Sequence, residues 1–406
     1  MRSDSILLGN EKKGTAVIPA YAWVILFVTM LAGVTGPLNQ FKVPPMLPVL
    51  MESFQLDLST AGLLMSIFAI TGLVVALPAG IIMQKLGAKV TGLVALGCLL
   101  AGAALGAIAA GPKALLASRL IEGIGMGLIA VVAPAVIVSW YPPEKRGLPL
   151  GVWATWVSLG SLIIYNLAPA LNGLAGWRAV WWAGAGFALV ALGFFWLLMR
   201  VPPGRSTVSP KVSQATPALN QALGNRNIWL LALSFGCFNF VVIGVIATFF
   251  PTFLKSVRGY SLADASFITS LKMVAVILAA PLAGWLSDKI GSPKRVILVS
   301  FVALAGFMVF PFTITGGFIS ASMVALGIIA GSLPTATFAA VPQVMGKGHL
   351  GGIGIGVVMV GQNLGQLLGP VIFSSLVEST GWVAAGTWTI PVLMLGFAAI
   401  WFTRFR

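Results

Sequence analysis

The feature that most constrains the fold is a series of twelve long apolar runs along the 406-residue chain. A helix that crosses the hydrocarbon core of a bilayer needs about 20 apolar residues, because the core is about 30 Å thick and each residue adds about 1.5 Å. The runs cover residues 17–48, 59–84, 88–110, 113–139, 147–171, 177–201, 226–254, 262–287, 294–314, 317–344, 350–376 and 381–403. We therefore predict an all-α integral membrane protein with twelve transmembrane helices, called spans 1 to 12 in chain order.

The charge content supports a bilayer as the solvent. Charged residues make up 8% of the chain, whereas soluble proteins carry about 25%. The net charge of +15 would suit nucleic acid, but its distribution does not. Of the 24 Lys and Arg residues, five lie on one side of the predicted topology and two inside spans, which leaves 17 on the other side. Such an excess marks cytoplasmic loops. We therefore expect a plasma membrane protein, in a bacterium the inner membrane, with both termini cytoplasmic and no nucleic-acid partner.

One long polar stretch divides the chain. Residues 202–225 are rich in Pro, Ser, Thr and Gln and predict a cytoplasmic linker. The predicted units are an N-terminal tail, a six-helix bundle, the linker, a second six-helix bundle and a short tail, at residues 1–16, 17–201, 202–225, 226–403 and 404–406. The segments that start at Leu58 and Leu262 match at an offset of 204, with eight of thirty positions identical. Parallel six-helix repeats build transporters whose substrate site lies between the halves.

Two loops carry a motif that points to a family. GIIMQKLGAK, from Gly80, and GWLSDKIGSPKR, from Gly284, resemble the G-x-x-x-D-[RK]-x-G-x-[RK] loop, and its copy in the second half, of the major facilitator superfamily. RLIEGIGMG, from Arg119, is similar to the fourth-helix motif of that family. The resemblance implies transport by alternating access, with gating loops formed by Gly80, Gln84, Lys85, Gly87, Gly284, Asp288, Lys289 and Gly291.

The two copies of this motif differ at one position. The family's acid is kept as Asp288 in the second copy and replaced by Gln84 in the first. In relatives this acid reaches the N-terminus of a helix in the opposite half, where the helix dipole favours a carboxylate. By resemblance, Asp288 could contact the start of span 5 near Gly147, whereas Gln84 offers only a neutral hydrogen bond.

Ionisable side chains inside the spans are the candidates for function. Each costs several kcal/mol in lipid unless it faces protein or water. Arg119 and Glu122 lie on span 4, and Lys272 lies about halfway along span 8. Because no acid in the second half is placed to pair with Lys272, we predict that it contacts an anionic substrate; the alternative is an ion pair with Glu122. Arg119 and Glu122 share a helix face. Either they neutralise each other, or Glu122 exchanges a proton while Arg119 binds the anion or Glu122.

Polar side chains on other spans are expected to complete a wet cavity between the bundles. They are Asn39, Gln40, Tyr165, Asn166, Asn239, Gln362, Asn363 and Gln366. Each could instead join helices to one another. Lys42 would enter the cavity as well if the first helix continues past its prolines.

Several function classes are disfavoured by what the sequence lacks. It has no H-E-x-x-H, no nucleophile elbow and no carboxylate cluster, so we expect neither an enzyme nor a cofactor or metal. The favoured function is a secondary transporter of a small anion, similar to cyanate, nitrate or carboxylate permeases, with proton symport left open and a monomer expected. The alternative is a multidrug or metabolite exporter driven by proton antiport. Span 5 lacks the Gly-Pro pair common in such exporters, and Lys272 would repel cationic drugs.

Overall fold

The computed structural model describes residues 18–142, 145–200, 202, 223–346 and 351–405. In the first half the helices are α1 (Tyr21–Gln40), α2 (Val43–Phe54), α3 (Leu58–Ala107), α4 (Pro112–Trp140), α5 (Gly147–Ala154), α6 (Trp156–Ala175) and α7 (Trp177–Leu198). The second half contains α8 (Arg226–Asn239), a π-helical segment (Phe240–Ala247), α9 (Thr248–Ser256), α10 (Leu262–Ile290), α11 (Pro293–Phe307), α12 (Phe318–Met345), α13 (Gly351–Thr380), α14 (Trp382–Thr387) and α15 (Thr389–Phe402).

Eleven helical segments in the described residues are long and apolar enough to cross a membrane. The twelfth, α11, has 15 residues and is followed by turns up to Gly317. The helix of span 9 is therefore shorter than the predicted 294–314, because residues 308–317 contain Pro311 and two glycines, which favour turns. The predicted all-helical fold of twelve helices is confirmed.

Span 1 is broken in its middle. Together α1 and α2 form one 34-residue stretch that ends at Phe54, six residues beyond the predicted end. The break at residues 41–42 follows from Pro44 and Pro45, which have no N–H to donate to the carbonyls of Gln40 and Phe41. The helix direction continues past the break, so Lys42 stays inside the protein, where it is fully buried.

The repeated motif makes the same turn in both halves. Gly87 separates spans 2 and 3 with a φ of +80°, and Gly291 follows α10 with a φ of +65°. Residues other than glycine are strained in this region, and the two glycines are 204 positions apart, as the sequence repeat requires. The side chain of Asp288 lies outside the described residues, so its contact near Gly147 stays a prediction.

Helix packing repeats as well. A Cβ atom added to Gly123 on span 4 would overlap the carbonyl oxygen of Phe68 on span 2, and one added to Gly327 on span 10 would overlap that of Lys272 on span 8. Gly123 and Gly327 are 204 residues apart, and so are Phe68 and Lys272. The two bundles therefore use the same close helix contact, and Lys272 occupies the place that Phe68 has in the first bundle.

In the described residues, the hydrogen bonds between the bundles lie at one end and in the middle of the molecule. We call the end with Gly87, Gly291 and the linker the linker end, and the opposite end the far end. At the far end the backbone N–H and hydroxyl of Ser59 donate to the carboxylate of Glu378, at 3.1 and 2.7 Å. Among the described residues, no hydrogen bond joins the bundles at the linker end. The molecule is therefore closed at the far end.

The start of span 2 carries a second carboxylate beside this closure. Asp57 is the N-cap of α3 and accepts a hydrogen bond of 2.9 Å from the backbone N–H of Thr60. Hydrogen bonding from Thr60 lowers the pKa of the Asp57 carboxyl below its ordinary value. The helix N-terminus thus receives its cap from Asp57 and its contact with the other bundle from Glu378.

Candidate functional site

Three ionisable side chains form a cluster at the break in span 1. Lys42, Arg119 and Glu122 are all fully buried. The Lys42 Nζ lies 2.5 Å from Glu122 Oε1, and the Arg119 Nη1 contacts Glu122 Oε2. Glu122 therefore pairs with two cations of its own bundle. The alternative partner considered for it, Lys272, is not part of this cluster.

Arg119 holds the broken helix together. Its Nε donates to the carbonyl oxygen of Leu64 at 3.1 Å, its Nη1 to that of Asn39 at 2.7 Å and its Nη2 to that of Gln40 at 3.0 Å. The Gln40 carbonyl needs this donor because Pro44 cannot supply one. With Glu122 included, these bonds occupy four of the five guanidinium N–H donors. Of the two partners predicted for Arg119, the structure shows Glu122; contact with an anion stays a prediction.

Lys272 has no such counter-charge. It is 3% exposed, and its Nζ donates to the carbonyl oxygen of Val242 at 3.2 Å. Both ion pairs in the described residues belong to the cluster around Glu122, so no described carboxylate lies within 4.0 Å of the Lys272 Nζ. The middle of the second bundle thus holds a buried cation whose protein contact is a neutral carbonyl.

The two buried cations occupy related places in the two bundles. A Cβ added to Gly160 on span 5 would lie 3.0 Å from the backbone nitrogen of Leu38, and one added to Gly365 on span 11 would lie 2.8 Å from that of Phe240. Spans 1 and 7 therefore correspond at an offset of 240 − 38 = 202.

By this offset, Gln40 corresponds to Val242. The carbonyl of Gln40 accepts from Arg119, and that of Val242 accepts from Lys272. The same carbonyl position is thus bound by a cation in each bundle, from span 4 in the first and from span 8 in the second. Sequence alignment could not show this, because Arg119 and Lys272 are on non-equivalent helices.

A chain of amides connects the two bundles near these cations. The Gln40 Nε2 donates to Gln366 Oε1 at 3.1 Å, and the Gln366 Nε2 donates to Asn239 Oδ1 at 3.2 Å. Asn39 accepts from the Lys42 Nζ through its Oδ1 at 2.9 Å. Three of the predicted cavity residues, Gln40, Gln366 and Asn239, are therefore joined in one chain that crosses the interface between the bundles, and Asn39 belongs to the charged cluster beside it.

The remaining predicted residues lie on the interface nearer the far end or on span 11. The Tyr165 hydroxyl donates to the carbonyl of Ala247, which Pro251 leaves without a helical donor. The Asn166 Nδ2 donates to the Ser270 Oγ at 3.1 Å. Both contacts join the bundles, as expected for polar residues that hold helices together.

Gln362 and Asn363 lie further toward the linker end of span 11, and both are half-buried. The Asn363 Oδ1 would lie 3.0 Å from a Cβ added to Gly72 on span 2. This contact brings span 11 close to span 2 of the other bundle. Their role as substrate ligands stays a prediction.

Sequence reasoning missed two parts of this arrangement. The sequence places Lys42 in the cavity if the first helix continues past its prolines, but it does not predict the ion pair with Glu122; the signal is the run of prolines that frees the carbonyls beside Lys42. The Ser59–Glu378 contact gave no signal, because both residues lie at the polar ends of spans. In the described residues, no group of three or more His, Cys, Asp or Glu side chains could hold a metal ion.

Comparison with known sequences supports this architecture. The family model described as Major Facilitator Superfamily matches residues 22–354 and 243–406. The chain is 25% identical over 410 residues to a hexuronate transporter of Bacillus subtilis, covering 94% of each chain. It is 25% identical to a probable sulfoacetate transporter of Cupriavidus necator, covering 92% of this chain and 90% of that one. A nitrite extrusion protein of Bacillus subtilis is 26% identical, with 85% and 86% covered.

Solved structures share the fold. A nucleoside transporter superposes with a TM-score of 0.77 at 16% identity, covering 94% of this chain and 100% of that chain. A D-xylose–proton symporter superposes with a TM-score of 0.78 at 17% identity, with 95% and 97% covered. At these identities the likeness shows the fold alone.

Proposed function

We propose a substrate for this chain from the premise that it belongs to the Major Facilitator Superfamily. It is a multi-pass integral membrane protein and a secondary transporter, not an enzyme. The proposal is that it moves a small organic or inorganic anion, and that Lys272 binds this anion between the two bundles. The bundles would rock about the site and expose it to each side of the membrane in turn.

The observation that carries this proposal is the isolation of Lys272. A buried charge without a partner costs several kcal/mol, so the protein lacks a negative charge at this point. Lys272 is ten residues from the start of α10, about 15 Å along the helix axis. At that depth an anionic substrate can supply the missing charge, and lipid cannot.

The relatives agree with an anionic substrate. Hexuronate, sulfoacetate and nitrite, named for three of them, differ in size but all carry negative charge. No one of these anions is favoured by the site over the others, so the proposal concerns the class.

The state of the bundles fits alternating access. The hydrogen bonds between the bundles lie at the far end and in the middle, so these are the contacts that must break to open the site toward the far end. We propose that the linker end faces the cytoplasm, since the excess of Lys and Arg lies there.

The test is thermal unfolding of purified protein with D-glucuronate, sulfoacetate, nitrite or the cation tetraphenylphosphonium. A ligand at a hundredfold its Kd should stabilise wild type by about 2.7 kcal/mol. We expect stabilisation by at least one anion, its loss in Lys272→Ala, and its retention in Lys113→Ala, which removes an exposed lysine.

Without ligand, Lys272→Ala should unfold at the wild-type temperature or higher, because it removes an uncompensated buried charge. Loss of the ligand effect is then not a loss of fold. Equal stabilisation of wild type and Lys272→Ala by an anion, or stabilisation by tetraphenylphosphonium alone, would contradict the proposal.

A further inference from the structure

We propose that Lys42 carries the proton that moves together with the anion; the inference rests on the transport function proposed above. The cluster at the break in span 1 contains two cations and one carboxylate, so its formal charge is +2 − 1 = +1. All three side chains are fully buried. One proton in this cluster is therefore in excess of what its carboxylate can neutralise.

Of the three groups, Lys42 is the one that can give up that excess proton. A guanidinium does not lose its proton in proteins. Protonation of Glu122 would leave Arg119 and Lys42 buried with no counter-charge, which is strongly unfavourable. Loss of a proton from Lys42 leaves a neutral Arg119–Glu122 pair and an amine that still contacts Asn39. Lysine is also the basic side chain that most readily becomes neutral when buried.

In the part of the chain that the structure describes, Glu122 and Arg119 are the charged groups that act on Lys42, and only Glu122 stabilises its ammonium. From α4 it faces Glu122 and, through it, Arg119; these are the charged groups that act on it. From α1 it faces the Asn39 amide, and from α7 the Trp181 ring, whose centroid lies 4.9 Å from the Nζ. The described residues of α3, α6, α9 and α10 place no carboxylate within ion-pair distance of it.

Its position also connects Lys42 to the movement of the bundles. Lys42 directly precedes α2, and α2 packs against α9 and α10 of the other bundle. The helices α9 and α10 cover α2 because the far end is closed. When the bundles separate there, α2 loses its cover, and the proposal requires that water then reaches the Nζ.

The step itself breaks or forms one N–H bond. In the open far end, the neutral amine takes a proton from water and becomes an ammonium as the anion binds at Lys272. After the bundles rock, the ammonium returns the proton to water and the cluster becomes neutral again. A monovalent anion and one proton thus cross together without net charge.

The experiment uses the full chain in proteoliposomes with labelled D-glucuronate, sulfoacetate or nitrite. Two quantities are measured: exchange of the anion at equal pH, and its accumulation under an imposed pH gradient. For one proton per monovalent anion, wild type should accumulate about tenfold per pH unit. Lys42→Arg keeps the positive charge and cannot release the proton. In this variant the anion should reach equal concentrations on both sides of the membrane instead of accumulating, while exchange is measured in parallel.

Lys42→Met is the second variant. It is needed because arginine is larger than lysine, and Lys42→Arg could disturb the packing at this fully buried position. Lys42→Met cannot bind the proton and should also lose accumulation relative to exchange. Lys113→Arg, an exposed lysine at the start of α4, is the matched control and should behave as wild type. Folding of every variant is checked by its thermal unfolding.

The outcomes separate this inference from the transport proposal. Accumulation that survives in Lys42→Arg would overturn the inference and favour the prediction that Glu122 exchanges the proton. If the wild type exchanges the anion but a pH gradient drives no accumulation, this inference is overturned and the transport proposal stands. Loss of exchange and accumulation together in both folded Lys42 variants would assign Lys42 a structural role. If wild type exchanges none of the three anions, the transport proposal fails, and this inference fails with it.

Discussion

At the scale of single residues, the members of the buried cluster differ in how much stability their removal should cost. Removing Glu122 leaves two buried cations unpaired, whereas removing Lys42 leaves the neutral Arg119–Glu122 pair. We therefore expect Glu122→Gln to lower the free energy of unfolding by about 3–5 kcal/mol, and Lys42→Met to lower it by clearly less. Denaturant unfolding in detergent measures both.

Glu52→Gln is the control for this prediction, because Glu52 is an exposed acid at the end of span 1. Its change should lie within about 0.5 kcal/mol of wild type. Equal destabilisation by Glu122→Gln and Lys42→Met would contradict the prediction that Glu122 alone balances the charge of the cluster.

At the scale of helices, glycine contacts set the position of Lys272. Gly327 on α12 touches the backbone of Lys272 on α10. Gly327→Ala forces these helices apart, and overpacking of this kind typically costs about 1–3 kcal/mol. We expect this variant to lose stability and to bind the anion more weakly, as measured by thermal unfolding with and without ligand.

Gly97→Ala is the matched control in the middle of span 3, where an added Cβ meets nothing within 4 Å. Alanine in a helix interior is favoured over glycine by about 0.5–1 kcal/mol, so this variant should be as stable as wild type or more so. The same loss in both variants would show that the contact with Lys272 is not the cause.

At the scale of the whole molecule, the closed far end predicts which cross-links form. Ser59 and Glu378 contact each other across the bundles. In protein lacking Cys98 and Cys237, the pair Ser59→Cys and Glu378→Cys should cross-link readily, and the cross-link should stop anion exchange until it is reduced. Gel mobility and exchange, before and after reductant, measure the two effects.

A pair at the linker end serves as the comparison. Gly80 on span 2 and Gly356 on span 11 lie on helices that face each other across the bundles, and both have open space around an added Cβ. The pair Gly80→Cys with Gly356→Cys should therefore cross-link less in the same preparation. Full exchange in the cross-linked far-end protein would rule out separation of the bundles as a step in transport.

The sequence by itself determined the solvent, the number of spans and the internal repeat. Runs of about 20 apolar residues can be satisfied only by a bilayer, and this is a local property of the chain. The repeat was visible as identities at an offset of 204. Gly87 and Gly291 are among them because both turns require a positive φ. The isolation of Lys272 from acids of its own half was also predictable, since the second half places no acid near it along the chain.

Only the tertiary structure decided which charges pair. The sequence offered Glu122 two cationic partners, Arg119 and Lys272. In the structure it pairs with Arg119 and Lys42, because the proline break in span 1 brings Lys42 and free carbonyls beside span 4. Likewise, the binding of corresponding carbonyls by Arg119 and Lys272 became visible only because spans 1 and 7 correspond in space, since the two cations lie on non-equivalent helices. Ion pairs between helices depend on distances that packing sets, and those distances are not encoded in the spacing along one chain.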